Sequence, residues 1–179
     1  MIHTKAYIPP PRTAMEVFKM LPEGTRCELI NGIIYMSPAP LVNHQEQVGN
    51  LAGKFYNFIK KKKIGRFLVA PVDVYLDQRK NAFQPDLIFI LNDNLSIVKD
   101  DGVYGTPDLV IEILSPGTKN FDLTKKKTVY EKSGVKEYWA IDPISKICTG
   151  YKLVGTKFNE LPLSKGKFHS PLLRQLFTL

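Results

Sequence analysis

Apolar and polar residues recur with different periods along the 179-residue chain, and each period predicts an element. In CELINGIIYMSP (27–38), an apolar run to Ile30, the pair Asn31-Gly32 and a second run from Ile33 to Met36 predict a β-hairpin. Asn-Gly is the pair that most readily takes the positive φ angles of a two-residue turn. From Leu41 to Lys62, the residues Leu41, Val48, Leu51, Phe55, Phe58 and Ile59 recur at helical spacing. Asn43 is the expected cap, and the lysines gather at the end that favours cations. Thr13 followed by Glu16 has capping-box spacing and predicts a shorter helix, Thr13 to Met20, after an extended lead-in at Pro9, Pro10 and Pro11.

Three apolar stretches follow the long helix. Phe67 to Leu76 alternates, with Val72, Val74 and Leu76 opposite Asp73, Tyr75 and Asp77, as a half-covered strand does. Pro85 to Leu91 and Asp108 to Leu114 are nearly continuous, as strands covered on both faces are. Ser115-Pro116-Gly117 breaks the third, Asp122 to Ser133 predicts a helix closed by Gly134, and Glu137 to Ile141 and Ile147 to Leu153 are strands joined at Asp142-Pro143. From Gly155 onward the chain is loop-rich, with a final strand or short helix before Phe177. This order predicts an α/β chain bordering on α+β: a mixed central sheet flanked by helices, with an N-terminal β-hairpin. A hydrophobic share of 44% over this length supports one domain, 1–179.

Charge narrows the partners. Lys and Arg number 25 against 17 Asp and Glu, a surplus of +8 that suits a polyanion or simply a basic surface. The surplus is bunched at Lys60, Lys61, Lys62 and Lys63 and at Lys125, Lys126 and Lys127, as phosphate contacts or as solvated helix ends. Cys27 and Cys148 lack metal or disulfide spacing, which fits a reducing cytoplasm. The start MIHTKAYIPPPR lacks the apolar core of a signal peptide, and no run approaches the roughly 18 apolar residues of a membrane span.

Two acids occupy awkward places. Asp86 opens the apolar run of QPDLIFI, and Glu112 interrupts DLVIEIL. A carboxylate there must be paired, hydrogen-bonded or bound to metal, because an isolated buried charge costs on the order of several kcal/mol or titrates away. A lysine partner, or a strand end that reaches water, would satisfy Glu112 alone. If the two strands are neighbours, both acids point at one spot and repel, an objection that a divalent cation removes; few oxygen ligands with several waters is the habit of Mg²⁺. On a helical wheel Lys126 falls within the arc of Leu123, Val129 and Tyr130, either as an inward charge partner or with its stem on the core and its ammonium in water.

QPD at 84–86, a strand carrying Glu112 and a nearby lysine resemble the metal-dependent PD-(D/E)XK nuclease superfamily. ELINGIIYMSP (28–38), His44, APVDVYL (70–76), PDLVIEILSPGT (107–118) and DLTKKKTVYEKSGVKEYWAIDP (122–143) are similar to the bacterial restriction-endonuclease family called Uma-two, over about residues 20–150. The resemblance implies a restriction-endonuclease-like core and a DNA-cleaving enzyme with Mg²⁺, replaceable by Mn²⁺, on Asp86 and Glu112. It implies DNA as partner and, by analogy with double-strand cutting, a homodimer. The superfamily lysine stands two residues after the acid, where this chain has Leu114, so Lys126 is the candidate third catalytic residue. His44 is an accessory candidate or a capping residue, Glu46 an acid brought by the long helix or a solvated one, and Asp73 an accessory ligand or merely exposed. Lys60, Lys61, Lys62, Lys63, Lys125 and Lys127 are the candidate backbone contacts, and Glu28 and Asp108 read as structural. The departure at Leu114 motivates the alternative, an inactive nuclease-fold module that binds DNA or a protein.

Overall fold

The computed structural model describes residues 10–179. The signal-peptide reading of the N-terminus and the place of Pro9 lie largely outside the described residues. The chain begins with α1 (Ala14–Lys19), capped by Thr13, whose hydroxyl accepts from Glu16 N–H while the Glu16 carboxylate reaches back, the expected capping box. The hairpin β1 (Cys27–Ile30) and β2 (Ile33–Met36) follows with the predicted register, Ile30 opposite Ile33. Asn31 and Gly32 have φ of 50° and 82°, as the sequence pair demanded.

Helix α2 (Val42–Lys62) ends in Lys60, Lys61 and Lys62, with Lys63 left-handed at its C-cap. Its N-cap is Leu41 rather than Asn43, and no side chain bonds there. The extended Leu41 after Pro40 fixes the start, which puts Asn43 already inside the first turn. Then come β3 (Gly65–Val69), β4 (Val74–Tyr75), β5 (Ala82–Phe83), β6 (Leu87–Leu91), β7 (Val98–Lys99), β8 (Gly102–Tyr104) and β9 (Leu109–Ile113). The alternating stretch expected as one strand from Phe67 to Leu76 is therefore two, lying in different sheets. Pro71 lacks a ladder donor and stands in the break.

The next helix starts earlier than the sequence suggested: α3 (Lys119–Phe121) runs through a π-wound turn, Asp122–Lys126, into α4 (Lys127–Ser133), closed by left-handed Gly134. β10 (Glu137–Ile141) and β11 (Ile147–Val154) match expectation. The last segment is mostly strand: β12 (Lys157–Glu160), β13 (Ser164–Lys165), β14 (Lys167–Ser170) and β15 (Gln175–Thr178), the last containing Phe177.

The central sheet has the order β12-β11-β10-β9-β6-β3, with β9 and β10 parallel and the other pairs antiparallel. A second sheet, β2-β1-β5-β4-β8-β7, packs beside it. Strand alternation explains the layers. Leu87, Phe89, Leu109 and Ile111 meet Val48, Leu51 and Phe55 of α2, whereas Ile88, Ile90 and Val110 meet Val129 and Tyr130 of α4 and Ile30, Val74 and Phe83 of the second sheet. The two nearly continuous apolar strands are thus covered on both faces, as their sequences required. The terminal hairpin β14–β15 closes the α2 side: Phe168 and Phe177 join that core, and Glu137, fully buried on β10, accepts from Trp139 Nε1 and from Leu172 N–H at 2.8 Å. Among the described residues no helix is long and apolar enough to cross a membrane.

Gly150 of β11 sits directly over Trp139 of β10, where a Cβ would approach the indole to 2.4 Å. Gly150→Ala is expected to cost about 1–3 kcal/mol by overpacking, seen as a lower urea midpoint. An unchanged midpoint would mean that the indole is free to move aside.

Candidate functional site

β6 and β9 end side by side. Leu87 pairs with Ile111, so one step further along the ladder Asp86 lies opposite Glu112. Each acid then binds the other strand's backbone: Ile113 N–H donates to Asp86 Oδ2 at 2.8 Å, and Asp86 N–H donates to Glu112 Oε2 at 3.3 Å. The carboxylates take over where the β ladder stops. On the α2 side, His44 Nε2 is 3.1 Å from Asp86 Oδ2. Facing a carboxylate that already accepts an amide, Nε2 is the donor, and this leaves Nδ1 as the buried ring nitrogen without a partner.

On the opposite face stands Lys126, only 5% exposed. Its Nζ lies 2.8 Å from Glu28 Oε1, 3.1 Å from Glu112 Oε1 and 3.2 Å from Asp122 Oδ1, the last out of line for a hydrogen bond. Tyr130 hydroxyl donates to Glu112 Oε1 at 2.7 Å. Asp122, Lys126 and Tyr130 recur every four residues, and the wide π turn keeps all three on the sheet-facing side of the helix. Of the two readings of Lys126, the inward one is observed. Leu114, where the superfamily lysine would stand, is packed in the core beside Val129 and Tyr130.

One ammonium cannot balance these acids. Glu28, Asp86, Glu112 and Asp122 are four carboxylates drawn to one small volume by strands and a helix, against a single buried lysine. Burial, then the neighbouring acids, pushes the Glu112 carboxyl up to about 8 despite the opposing pull of Lys126. Burial likewise raises Asp122. For Lys126, burial pulls down but Glu112, Glu28 and Asp122 outweigh it and hold the ammonium well above its ordinary value. Such a cluster has room in its electrostatics for another positive charge, a proton or a cation.

The donor set fits a hard divalent ion. Asp86 Oδ2 and Glu112 Oε1 are committed to protein donors, which leaves Asp86 Oδ1 and the weakly held Glu112 Oε2 as the oxygens with spare lone pairs. Two carboxylates with waters completing the shell is how Mg²⁺ is commonly held. Among the described residues no three His, Cys, Asp or Glu side chains form a ready-made cage.

Other sequence candidates sit at different distances from this cluster. Glu46 is exposed. Asp73 joins through Gln84, whose Nε2 donates to Asp73 Oδ1 at 2.9 Å while its backbone N–H donates to Glu28 Oε1 at 3.0 Å. Lys60, Lys61, Lys62 and Lys63 are exposed at the far end of α2, about 24 Å of helix from His44. Lys125 is exposed, its Nζ 4.6 Å from the Phe121 ring, and Lys127 lies 4.4 Å from that of Tyr151. Glu28, read as structural, and Tyr130, read as part of an apolar arc, both join the site, as does Asp122, which the sequence reading does not single out. Glu28 carries the same signal as Glu112, an acid within a buried apolar strand, and Asp122 and Tyr130 flank Lys126 at helical spacing.

A mixed sheet flanked by helices, with acids meeting at adjacent strand ends, defines a nuclease-like α/β fold. A crystal structure of a putative nuclease belonging to DUF820 from Anabaena variabilis shares it, with a TM-score of 0.74 and 20% identity over 92% of each chain. The profile of the Uma2 family, described as "Putative restriction endonuclease", matches residues 14–176, and the chain belongs to that family. No curated protein matches it.

Glu112 retains its proton in the folded protein between its ordinary value of 4.5 and about 8. Folding then binds more protons than unfolding, so this stabilisation is present below pH 4.5 and is lost as pH rises through about 8. In EDTA, thermal melts from pH 5 to 8.5 should fall by up to about 1.4 kcal/mol per pH unit, and Glu112→Gln should flatten the slope. An equally steep slope in the variant would assign the proton elsewhere.

Proposed function

We propose that this protein is a Mg²⁺-dependent nuclease that hydrolyses phosphodiester bonds in DNA, with Asp86 and Glu112 as the cation ligands. The observation that supports this most is the reciprocal bonding of the two acids at paired strand ends, beside a cluster with more carboxylates than cations. When bound, the cation supplies positive charge to the scissile phosphate and acidity to a water in its shell. His44 holds Asp86 Oδ2, so that Oδ1 presents a fixed lone pair. Tyr130 and Lys126 fix Glu112 Oε1, which leaves Oε2, held only by the long bond from Asp86 N–H, as the oxygen able to take a cation. Lys126 replaces the lysine absent at position 114 and places its charge 3.1 Å from the ligand acid, where it stabilises charge developing on the phosphate. The lysines at the end of α2, with Lys125 and Lys127, engage flanking phosphates without reading sequence. Each chain carries one such site, so cutting both strands together calls for two copies. A cytoplasmic setting agrees with Cys27 and Cys148 as buried free thiols.

The saturation of Lys126 by three carboxylates favours a second reading, a non-catalytic module in which the acids are neutralised internally. Metal binding separates the two. Because Glu112 must lose its proton to bind, calorimetry at pH 7 in buffers of different ionisation enthalpy should show up to about one proton released per Mg²⁺ or Mn²⁺. The module predicts no binding.

Purified protein with plasmid and Mg²⁺ or Mn²⁺ should nick it, and Asp86→Asn or Glu112→Gln should slow nicking at least about 100-fold while circular dichroism stays unchanged. Lys126→Ala should cost about 3–5 kcal/mol of stability by stranding its acids. Cleavage that survives Glu112→Gln would remove that carboxylate from the chemistry.

A further inference from the structure

Beside the acid cluster, between the second sheet and the outer strand β3, lies a cavity of about 430 Å³. Its walls include the partly exposed apolar residues Leu68, Val72 and Val98. Gln84 and Asp73 also line it, joined by the bond from Gln84 Nε2 to Asp73 Oδ1, with Arg66 exposed at its edge. Gln84 precedes Asp86 by two residues, a Cα separation of at most about 7 Å. That distance is about two base-step rises of a nucleic acid strand. Gln84 also binds Glu28 through its backbone, so one residue supports both the cavity wall and the acid cluster.

We infer that this cavity takes a single unpaired nucleobase of the strand whose phosphate lies at Asp86 and Glu112, and that Asp73 and Gln84 read its edge. The inference rests on the nucleic-acid reading above and adds to it the form of the substrate and the residues that set preference. The chemistry of the walls selects the ligand. Apolar sides suit the two faces of a flat heterocycle, and a few fixed polar groups suit its edge. Among the charged side chains at the wall, the acceptors Glu23, Asp73, Asp100 and Asp101 outnumber the donors Arg66 and Lys99. Asp73 carries a carboxylate with a single close donor, Gln84, and only a 3.4 Å contact from Tyr75 hydroxyl on its other oxygen. Gln84 spends its amide hydrogens on Asp73 and on the Thr25 carbonyl, which turns Oε1 into a further acceptor. Acceptors at the wall call for donors on the base, and guanine offers two adjacent ones, its ring N–H and its amino group. Asp100 and Asp101, also at the cavity, disfavour a phosphate inside it, whereas Arg66 suits the phosphate left outside. A base can enter only when it is out of the stack, which costs least in single strands or at mismatches. Asp73 therefore serves as a specificity residue rather than as a metal ligand.

Methyl NMR of the full chain, titrated with dGMP, dAMP, dCMP and dTMP in EDTA, tests this apart from cleavage. The expected result is shifts at Val72 and Val98, with dGMP at least about tenfold tighter than dTMP, the low end for a two-point base contact. Asp73→Asn should erase that preference while leaving the fold unchanged. Because Gln84 also braces Glu28, the second variant is Val98→Phe, at a partly exposed wall position, which should fill the cavity and weaken all four nucleotides together. Equal affinity for the four, or shifts away from these valines, overturns the inference. Base preference without metal-dependent nicking would keep this site and overturn the nuclease reading; nicking without base preference would do the reverse.

Discussion

The structure turns on an ammonium group buried among carboxylates. Lys126 lies inside the protein among Glu28, Glu112 and Asp122, each from a different element, and pulls a hairpin, a central strand and a helix to one point. Removing two or three charges from water is costly, and mutual attraction repays that cost only with close geometry. The contacts of 2.8 to 3.2 Å, the Tyr130 hydroxyl and the π turn are the means by which the fold meets that condition. The repayment is incomplete, since three acids share one cation. The incomplete balance is what gives the site its appetite for further positive charge.

Two consequences for chemistry follow from where the charges sit. Asp86 and Glu112 are held by backbone amides at strand ends, among the most rigid positions in the sheet, so their spacing is fixed before any ligand arrives. The cation of the cluster comes from the helix instead of the strand, and Leu114 is released to fill the core.

Much of this was legible in the sequence because it depended on neighbours. Asn31-Gly32 sets its own turn, Thr13 and Glu16 cap each other, and an acid inside an apolar strand announces a partner. The wheel that placed Lys126 inward needed only its own helix. What escaped was long-range. Glu28 meets Lys126 across nearly a hundred residues, and no local pattern reports that meeting. The two-residue strands β4 and β5 are too short to show a period, and their sheet is held by partners rather than by propensity. The division of the Phe67–Leu76 stretch was a different kind of miss: Pro71 stood in the sequence as a ladder-breaking signal, and the alternation around it read more strongly.

The last two strands carry an obligation of their own. Glu137 lies wholly buried on β10, and one of its oxygens is satisfied by the amide of Leu172, within the closing hairpin. Trimming the chain before that residue would leave a carboxylate sealed under the sheet with a vacant lone pair, and would uncover the aromatic surface around Trp139 and Phe168. The tail is thus a plug for a polar defect in the sheet that supports the acids, and designs that remove Leu172 must first neutralise position 137.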